Sequence, residues 1–562
     1  MATYRVSPSL GTDSAGNNGS ISQPWATWAY LDTRISPTAG DIYLQDAGSV
    51  AREGIPNSII AADNITLDVY GDSGYATVTG FVQQSGWTYN AAYDVWEKSV
   101  ADGWNVMLDN APLTFVAWTT NLATTAALMP AYSFSHDTAT AMLYIRSPES
   151  PDGCEVAQRE FVMGQWTSTN VGLVVRGYNV TGGWRHGIYT TGKNNMLIEQ
   201  GRVAMCGGDW AGSFYLGNGI EIYGTCSGVV VQDMLFEDIF DSALSPQLSS
   251  TAGQTISDMV ARRNTYKRCG YAGYEGTFNG TTQSLLGLQV LDSDFEDIGK
   301  NCWSGNRGGR AITFSNNASS STNLTAGCRV HGNKIRRAVR GIRFVNTQGG
   351  NVATGNDVAD CDQALLTYQA LNAAGHVDVF AGNKVENCPV AVEAEATWPE
   401  TIYVYNNTII DCATGIKNTG NSSAAITAKN NVFKGAGTAF SVSAGTLTES
   451  YNVVDTTVTP GKTLDLADQV MDLSRYMHDD DGRLRTPFML DGIPMLNPLG
   501  AAGTYVQGVR LMEGQRAQPG RTPIGAYALG RTFVDVRGED ASLITEDYLN
   551  LLTEDGEFIT EE

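Results

Sequence analysis

The chain has 562 residues, more than one globular core usually fills, which favours either several domains or one elongated repeat body. Its 62 glycines and only 17% charged residues suit many short strands separated by turns. A net charge of −23 argues against nucleic acid and anionic membranes as partners, because both would be repelled.

Residues 1–81 are predicted to form an N-terminal cap and the first rungs of a repeat body. A Gly/Asn/Ser turn cluster precedes a short potential helix from Pro24 to Leu31, and the strand-like segments DIYLQ, IIAADNITLDVYGD and ATVTGF follow. This arrangement resembles the N-terminal cap of right-handed parallel β-helix proteins of the pectate-lyase-like superfamily, which includes phage tailspikes. In that family the helix closes the open end of the solenoid.

Residues 82–165 interrupt the repeat and are predicted to form an inserted antiparallel β-subdomain. The segments SGWTYNAAYDVWEKSV, WNVMLDNAPLTFVAW and TATAMLYIRSPES alternate apolar and polar residues between Asn, Asp, Gly and Pro turns. The insertion resembles the small β-subdomain that follows the first rungs in several carbohydrate-active β-helix proteins.

Residues 166–455 are predicted to be the β-helix body, because one pattern recurs there. Asn383, Asn407 and Asn431 are spaced 24 residues apart, and an apolar residue stands two positions after each. Such a period marks a solenoid whose units bury their apolar faces by stacking. Extended upstream, the register gives one apolar anchor per rung: Val203, Phe236, Tyr266, Phe295, Ile335, Val358, Val385, Ile409 and Phe433.

Equal positions in stacked parallel strands form vertical ladders, so this register predicts two further columns. Two residues before the anchor most rungs have Asn, where we expect a left-handed turn residue whose amide bonds the amides above and below. Three residues after the anchor, Cys alternates with Ile and Ala. We predict that these thiols occupy small buried apolar sites without disulfides or metal: Cys206, Cys269, Cys361, Cys388 and Cys412.

Charged pairs directly after the anchors alternate in sign from rung to rung. They are Glu237-Asp238, Lys267-Arg268, Glu296-Asp297 and Arg336-Arg337. Alternation avoids like charges opposite one another, so we interpret these conspicuous clusters as a compensated, solvated ladder. They are poor candidates for catalytic carboxylates.

The column five residues after the anchor is the predicted functional site, because it mixes an acid, a phenol and bases without alternating. It contains Asp241, Tyr271, Lys300, Arg340 and Gln363, and the long insertions around it carry Trp210, Glu275, Trp303 and Arg310. Aromatic faces beside carboxylates and guanidinium groups suit a sugar site. Solvated loop residues without a ligand remain the alternative.

Hydrolysis of a glycan requires two carboxyl groups, and Asp241 and Glu275 are predicted to supply them. Elimination across a uronic acid would instead use Lys300 or Tyr271 as the base. Arg310 or Arg340 would then neutralise the uronate. The predicted substrate-binding residues are Trp210, Tyr271, Trp303, Arg310 and Arg340.

Other chemistry is poorly supported by the sequence. His186, in GWRHGIY, could bind a ligand, but a lone histidine is usually structural. No metal cluster and no phosphate loop is recognisable, so we expect neither a metal nor another cofactor.

Residues 456–530 resemble the closing segment of bacterial and phage β-helix proteins, with Gly-Ala-Tyr at 525–527. Residues 531–562 are acidic and carry T-E-D at 545–547 and 553–555 and T-E-E at 560–562. This segment is interpreted as a disordered tail or as a docking peptide for a partner. It resembles the acidic tails of phage structural proteins, which points to a virion origin.

Together these features predict an all-β fold, a single-stranded right-handed parallel β-helix with an N-terminal cap and an inserted antiparallel β-subdomain. The resemblance implies a phage tailspike-like protein, usually a homotrimer, that binds and degrades a host polysaccharide (capsule or lipopolysaccharide) as a glycoside hydrolase or polysaccharide lyase. The alternative is a non-catalytic structural or adhesin spike anchored through its acidic tail.

The same resemblance implies a place on the phage tail, with other virion tail proteins bound through residues 531–562. Neither a signal peptide nor an apolar run of about 18 residues is recognisable. We therefore expect synthesis in the host cytoplasm, without membrane insertion.

Overall fold

The computed structural model describes residues 1–471, except 72–73, 110, 168–169, 211–214, 301, 303–307, 317–321, 370–376, 397–399, 420–423, 436, 451 and 465–468. The predicted tail 531–562 and most of the predicted closing segment therefore lie outside the described residues. The chain divides into two compact units, 1–313 and 314–562. None of the helices in the described ranges is long and apolar enough to cross a membrane.

The N-terminal cap contains one short helix, Trp28–Arg34, and a 3-10 turn, Asn57–Ile60. The helix begins later than the sequence suggests because the side chain of Thr27 accepts a bond from the Tyr30 amide and fixes its start. The Trp28 ring is fully buried, and its Nε1 donates to Gln45 Oε1 at 3.0 Å.

Three parallel sheets form the β-helix part of the first unit, and from Arg159 onward successive rungs contribute strands to all three. Sheet one comprises Thr3–Val6, Ile42–Asp46, Thr66–Tyr70, Val174–Arg176, Leu197–Glu199, Val230–Gln232, Val260–Arg262 and Gln289–Leu291. Sheet two comprises Val50–Ala51, Ala76–Thr79, Tyr178–Thr181, Arg202–Ala204, Leu235–Glu237, Thr265–Lys267 and Asp294–Glu296. Sheet three comprises Arg159–Trp166, Gly183–Thr191, Ile220–Tyr223, Ser242–Leu248, Ala272–Phe278 and Arg310–Ser315, and a short sheet adds Cys226–Ser227, Thr255–Ser257 and Ser284–Leu286.

The second unit repeats the same three-strand rung. Its first sheet comprises Arg329–His331, Asn351–Thr354, Val377–Ala381, Glu400–Tyr405, Ala424–Lys429 and Thr446–Ser450. Its second comprises Lys334–Arg336, Asp357–Ala359, Lys384–Glu386, Thr408–Ile410, Val432–Lys434, Val453–Asp455 and Gln469–Met471. Its third comprises Arg340–Val345, Gln363–Gln369, Val390–Ala396, Thr414–Asn418, Gly437–Val442 and Val458–Thr459. The strand Leu324–Ala326 belongs to none of these three sheets.

The insertion forms two small sheets, antiparallel except for one parallel pair, with a core of its own. The first comprises Phe81–Gln83, Val106–Leu108, Ala111–Pro112 and Glu155–Ala157; the second comprises Thr88–Asn90, Val95–Ser99, Thr114–Phe115, Ser133–Asp137 and Met142–Arg146, with helix Leu122–Leu128. Strand Arg159–Trp166 already pairs in parallel with Gly183–Thr191, so the inserted sheets end before the predicted boundary at residue 165. The predicted fold class, a parallel β-helix with this insertion, is confirmed.

Stacking within each unit follows the predicted register. Phe236 pairs with Tyr266 and Tyr266 with Phe295, and their rings stack at centroid distances of 4.9 and 4.4 Å. Farther along, Val385 pairs with Ile409 and Ile409 with Phe433. These side chains form a continuous apolar column inside each unit.

The Asn column forms the expected amide ladder, but its backbone differs from the prediction. Asn383 Nδ2 donates to Asn407 Oδ1 at 3.0 Å, and Asn407 Nδ2 donates to Asn431 Oδ1 at 3.0 Å. The left-handed conformation falls on the residue before each, with φ of 54° at Asn406 and 56° at Asn430. The prediction that the ladder Asn is itself left-handed is therefore wrong, because the left-handed turn residue lies one position before it.

The thiol and charge columns match their interpretation. All nine cysteines are free, and the five in the predicted column are buried.

Arg268 contacts Asp238 at 2.6 Å and Glu237 at 3.3 Å, one rung away. Lys267 contacts Glu296 at 3.7 Å in the next rung. The conspicuous acidic clusters are thus paired across rungs, as predicted.

Candidate active site

The outer face of sheet three in the first unit carries a column of polar side chains that are nevertheless buried. The register pairs Tyr189 with Glu221 and Glu221 with Ser245, and the next strand continues at the same offset with Glu275. The exposed fractions are 5% for Glu221, 0% for Ser245 and 8% for Glu275. Alternate residues of these strands, such as Leu244, point inward, so the column faces away from the apolar interior.

Glu221 is held by two neutral donors. His186 Nε2 lies 3.1 Å from Glu221 Oε2, and Asn218 Nδ2 donates to the same oxygen at 2.8 Å. The Asn218 amide N–H donates to His186 Nδ1 at 3.1 Å. Because Nδ1 accepts this bond, the neutral imidazole carries its proton on Nε2 and donates it to Glu221.

Burial sets the protonation of this pair. It lowers the pKa of His186 to about 3, so the imidazole is neutral. It raises the pKa of Glu221 to about 7; the Asn218 bond and Arg185 oppose this rise, and the charges of Asp241 and Glu275 add to it. Glu221 is therefore a carboxyl group that exchanges its proton near neutral pH, as a general acid requires.

Glu275 is the second buried carboxyl group, and it is linked to the first. Ser242 Oγ donates to Glu275 Oε2 at 2.7 Å, and the Ser242 amide donates to Asn218 Oδ1 at 3.2 Å. Asn218 and Ser242 thus connect Glu221 to Glu275. Burial raises the pKa of Glu275, while the Ser242 bond and the charge of Arg310 lower it.

Arg310 and Tyr271 form the side of the cluster. The Arg310 guanidinium lies over the Tyr271 ring at 4.3 Å, and the backbone joins Arg310 N to Tyr271 O and Tyr271 N to Asp241 O. Among the described residues, Arg310 Nε and Nη1 and Ser245 Oγ are buried without a hydrogen-bond partner. Unpaired buried polar atoms are costly unless a ligand or water satisfies them, so this cluster is suited to a polar ligand.

Four of the eight predicted site residues come together here: Asp241, Tyr271, Glu275 and Arg310. Lys300 is half-buried in the turn after strand Asp294–Glu296. Arg340 lies in the second unit, where its Nε donates to Gln363 Oε1 at 2.8 Å. The roles of Lys300, Arg340 and the two tryptophans stay predictions, since the Trp210 side chain and all of Trp303 lie outside the described residues.

Sequence reasoning missed Glu221, Asn218 and Ser242, and it named His186 only as a lone histidine that could bind a ligand but is usually structural. Ser245 and Glu275 each stand nine residues after their anchors, whereas Glu221 stands 18 residues after Val203 because a loop is inserted in that rung. The fixed offset therefore could not find it. The only local signal was the Asn-Gly turn before the apolar-acid alternation in NGIEIYG.

Carboxyl, imidazole, hydroxyl and guanidinium groups are the chemistry that this cluster offers. In the described ranges, no group of three or more His, Cys, Asp or Glu side chains could hold a metal ion.

No protein-family model and no curated protein matches this chain. Among solved structures, XylC in complex with xylose has a TM-score of 0.47 at 11% identity, over 87% of this chain and 88% of that one. The GH136 lacto-N-biosidase from Eubacterium ramulus has 0.42 at 11%, over 84% and 68%, and pectate lyase Pel9A has 0.32 at 13%, over 85% and 84%. The fold assignment depends on the strand pairing described above.

Proposed function

We propose that this protein is a polysaccharide-degrading enzyme and that the cluster around Glu221 and Glu275 hydrolyses a glycosidic bond. The observation that carries this proposal is the pair of buried carboxyl groups in one outward column, with the unpaired Ser245 hydroxyl between them. Glu221 and Glu275 stand two strands apart, so their backbones are about 9.4–9.8 Å apart. This spacing is near the upper end of the carboxyl separation in inverting hydrolases, about 6.5–9.5 Å, and far above the about 5–5.5 Å of retaining enzymes, so we propose inversion at the anomeric carbon.

In this scheme Glu221 is the general acid. Its described contacts all go to Oε2, which leaves Oε1 to donate a proton to the leaving glycosidic oxygen. Glu275 is the general base: it takes a proton from water as the water oxygen bonds the anomeric carbon and the bond to the leaving oxygen breaks. Asp241 is the alternative base, since its charge acts on Glu221. Arg310 and Ser245 bind sugar hydroxyl or carboxylate groups with their unpaired atoms.

Elimination from a uronic acid is the second candidate. It is favoured by the unpaired guanidinium donors of Arg310 above Tyr271, which could neutralise a uronate. Burial raises the pKa of Tyr271, so its phenolate form is scarce at neutral pH and Tyr271 is a weak choice of base. Hydrolysis therefore agrees better with the protonation of the cluster.

The test is product formation from purified polysaccharides, including host capsule and lipopolysaccharide. New reducing ends without the absorbance of an unsaturated uronate would support hydrolysis, and that absorbance would support elimination. Glu221→Gln and Glu275→Gln should each slow product formation by about 10²–10⁴-fold, whereas Glu296→Gln, in the exposed charge ladder, should not. Full activity of both site variants would exclude this cluster, and no product from any glycan would favour a non-catalytic spike.

We further propose that the protein works on a phage particle, as a trimeric tailspike-like protein held by other tail proteins through residues 531–562. Support comes from the sequence alone, from the resemblance of the cap and of the acidic T-E-D segments. Light scattering of the purified protein tests the trimer. Deletion of residues 531–562 should prevent incorporation into particles, and normal incorporation would exclude the docking role.

A further inference from the structure

The inserted β-subdomain exposes three tyrosines that have no part in the Glu221 cluster. The exposed fractions are 48% for Tyr89, 37% for Tyr93 and 56% for Tyr132. Among the described residues, only one other tyrosine, Tyr75, is exposed to a similar extent, at 44%. Exposed aromatic residues are therefore concentrated in this insertion.

One ion pair connects the three tyrosines. Tyr89 Oη donates to Asp94 Oδ1 at 2.9 Å, and Asp94 Oδ2 lies 3.8 Å from Arg146 Nε. Arg146 Nη2 donates to the Tyr93 carbonyl at 2.8 Å, and the Arg146 carbonyl accepts from the Tyr132 amide at 2.8 Å. These residues form one edge of the insertion, here called the tyrosine edge.

The tyrosine edge is held in place by its surroundings. The Tyr89 ring packs on Trp96 at 5.0 Å, and Trp96 packs against the core of the insertion. Tyr132 has a left-handed φ of 59°, which is unfavourable for a residue with a side chain, and backbone bonds on both sides keep it there. The Tyr89 ring is therefore ordered before binding and loses little conformational entropy when a ligand arrives, and the backbones of Tyr93 and Tyr132 are fixed beside it.

Aromatic faces with polar rims, beside one carboxylate and one guanidinium, have the chemistry that recognises sugars: stacking on pyranose faces and hydrogen bonds to hydroxyl groups. The net charge of −23 disfavours nucleic acid and anionic membranes at this edge. We propose that the tyrosine edge is a second polysaccharide-binding surface, which holds the polymer independently of its cleavage. The choice of a polysaccharide as occupant rests on the proposed function.

The test uses the full-length protein in native gels that contain one of four neutral polysaccharides, xylan, glucomannan, mixed-linkage β-glucan or dextran, with retardation as the measure of binding. The variant combines Tyr93→Ala with Tyr132→Gly, because glycine accepts the left-handed φ without strain. Tyr75→Ala is the matched control, an exposed tyrosine outside the insertion. Melting temperature and light scattering establish that each variant is folded and in the same assembly state.

We expect at least one polysaccharide to retard the wild-type protein and Tyr75→Ala equally, and the double variant to bind it about tenfold more weakly. Equal retardation of the double variant would overturn the proposal, as would absence of retardation by all four polymers. A change of assembly state in the double variant alone would assign the edge to contacts between copies of this chain instead. Glu221→Gln should be retarded like wild type, so loss of cleavage and loss of binding are distinguishable.

Discussion

His186 donates through Nε2 to Glu221 Oε2 across 3.1 Å, and below about pH 7 this contact joins two uncharged partners. An ion pair would require the imidazole to hold the proton, but burial lowers the pKa of His186 to about 3 and raises that of Glu221 to about 7. Desolvation therefore outweighs their mutual attraction, and the exchangeable proton belongs to the carboxyl group.

Glu221→Gln should reduce kcat by about 10²–10⁴-fold, the contribution of a positioned general acid. The wild-type rate should fall as the pH rises through about 7, because the raised pKa of Glu221 keeps it protonated below that value and ionised above it. The variant should lose this alkaline limb from its pH–rate profile. An unchanged limb in Glu221→Gln would assign the titration to another group.

His186 is expected to position Glu221 and to tune its pKa. His186→Leu removes a donor to the carboxylate, which should raise the pKa of Glu221 and move the alkaline limb of kcat to higher pH. His186→Gln keeps an N–H donor and should restore the limb. A purely structural role would lower the rate of both variants without moving the limb, so the pH–rate profile separates the two.

The regular part of this fold could be predicted from the sequence because equivalent positions of successive rungs stack on one another. Similar residue types therefore recur at a fixed spacing along the chain. The same register also predicted that the charges near Arg268 are paired across rungs, which the contact between Arg268 and Asp238 confirms. It failed at Glu221, because a loop inserted after Val203 shifts the register while leaving the strand pairing intact. Asn218 donates to His186 and accepts from Ser242, and these bonds join residues far apart in the chain, which one-dimensional spacing cannot reveal.

Asn407→Ala should destabilise the protein strongly. Asn407 Nδ2 donates to Asn431 Oδ1 and to the Phe380 carbonyl, and its Oδ1 accepts from Asn383. Its removal leaves buried partners unpaired, at a cost of about 2–4 kcal/mol in the free energy of unfolding. Urea denaturation measures this, with Thr427→Ala on sheet one as the control. A loss below about 0.5 kcal/mol would show that the ladder is dispensable.

In the second unit, Asp378 and Glu400 are buried carboxyl groups that share a hydrogen bond. Asn351 Nδ2 donates to Asp378 at 2.9 Å, and Thr367 Oγ1 donates to Glu400 at 3.0 Å. Burial raises the pKa of Asp378 to about 6 and, with the charge of Asp378, raises that of Glu400 well above its usual value. The folded chain therefore binds these protons more tightly than the unfolded chain.

Because both folded-state pKa values are raised, this pair lowers the free energy of unfolding only at pH values where the two carboxyl groups of the unfolded chain have already released their protons. The penalty is absent below about pH 4 and grows as the pH rises through about 6. Asp378→Asn keeps the contact with Asn351 but cannot ionise. Its free energy of unfolding, relative to that of wild type, should therefore increase by roughly 1–3 kcal/mol as the pH rises from about 4.5 to about 7.5. Urea denaturation at both pH values measures the difference, with Glu395→Gln as the control, and a difference that does not change with pH would contradict the protonated pair.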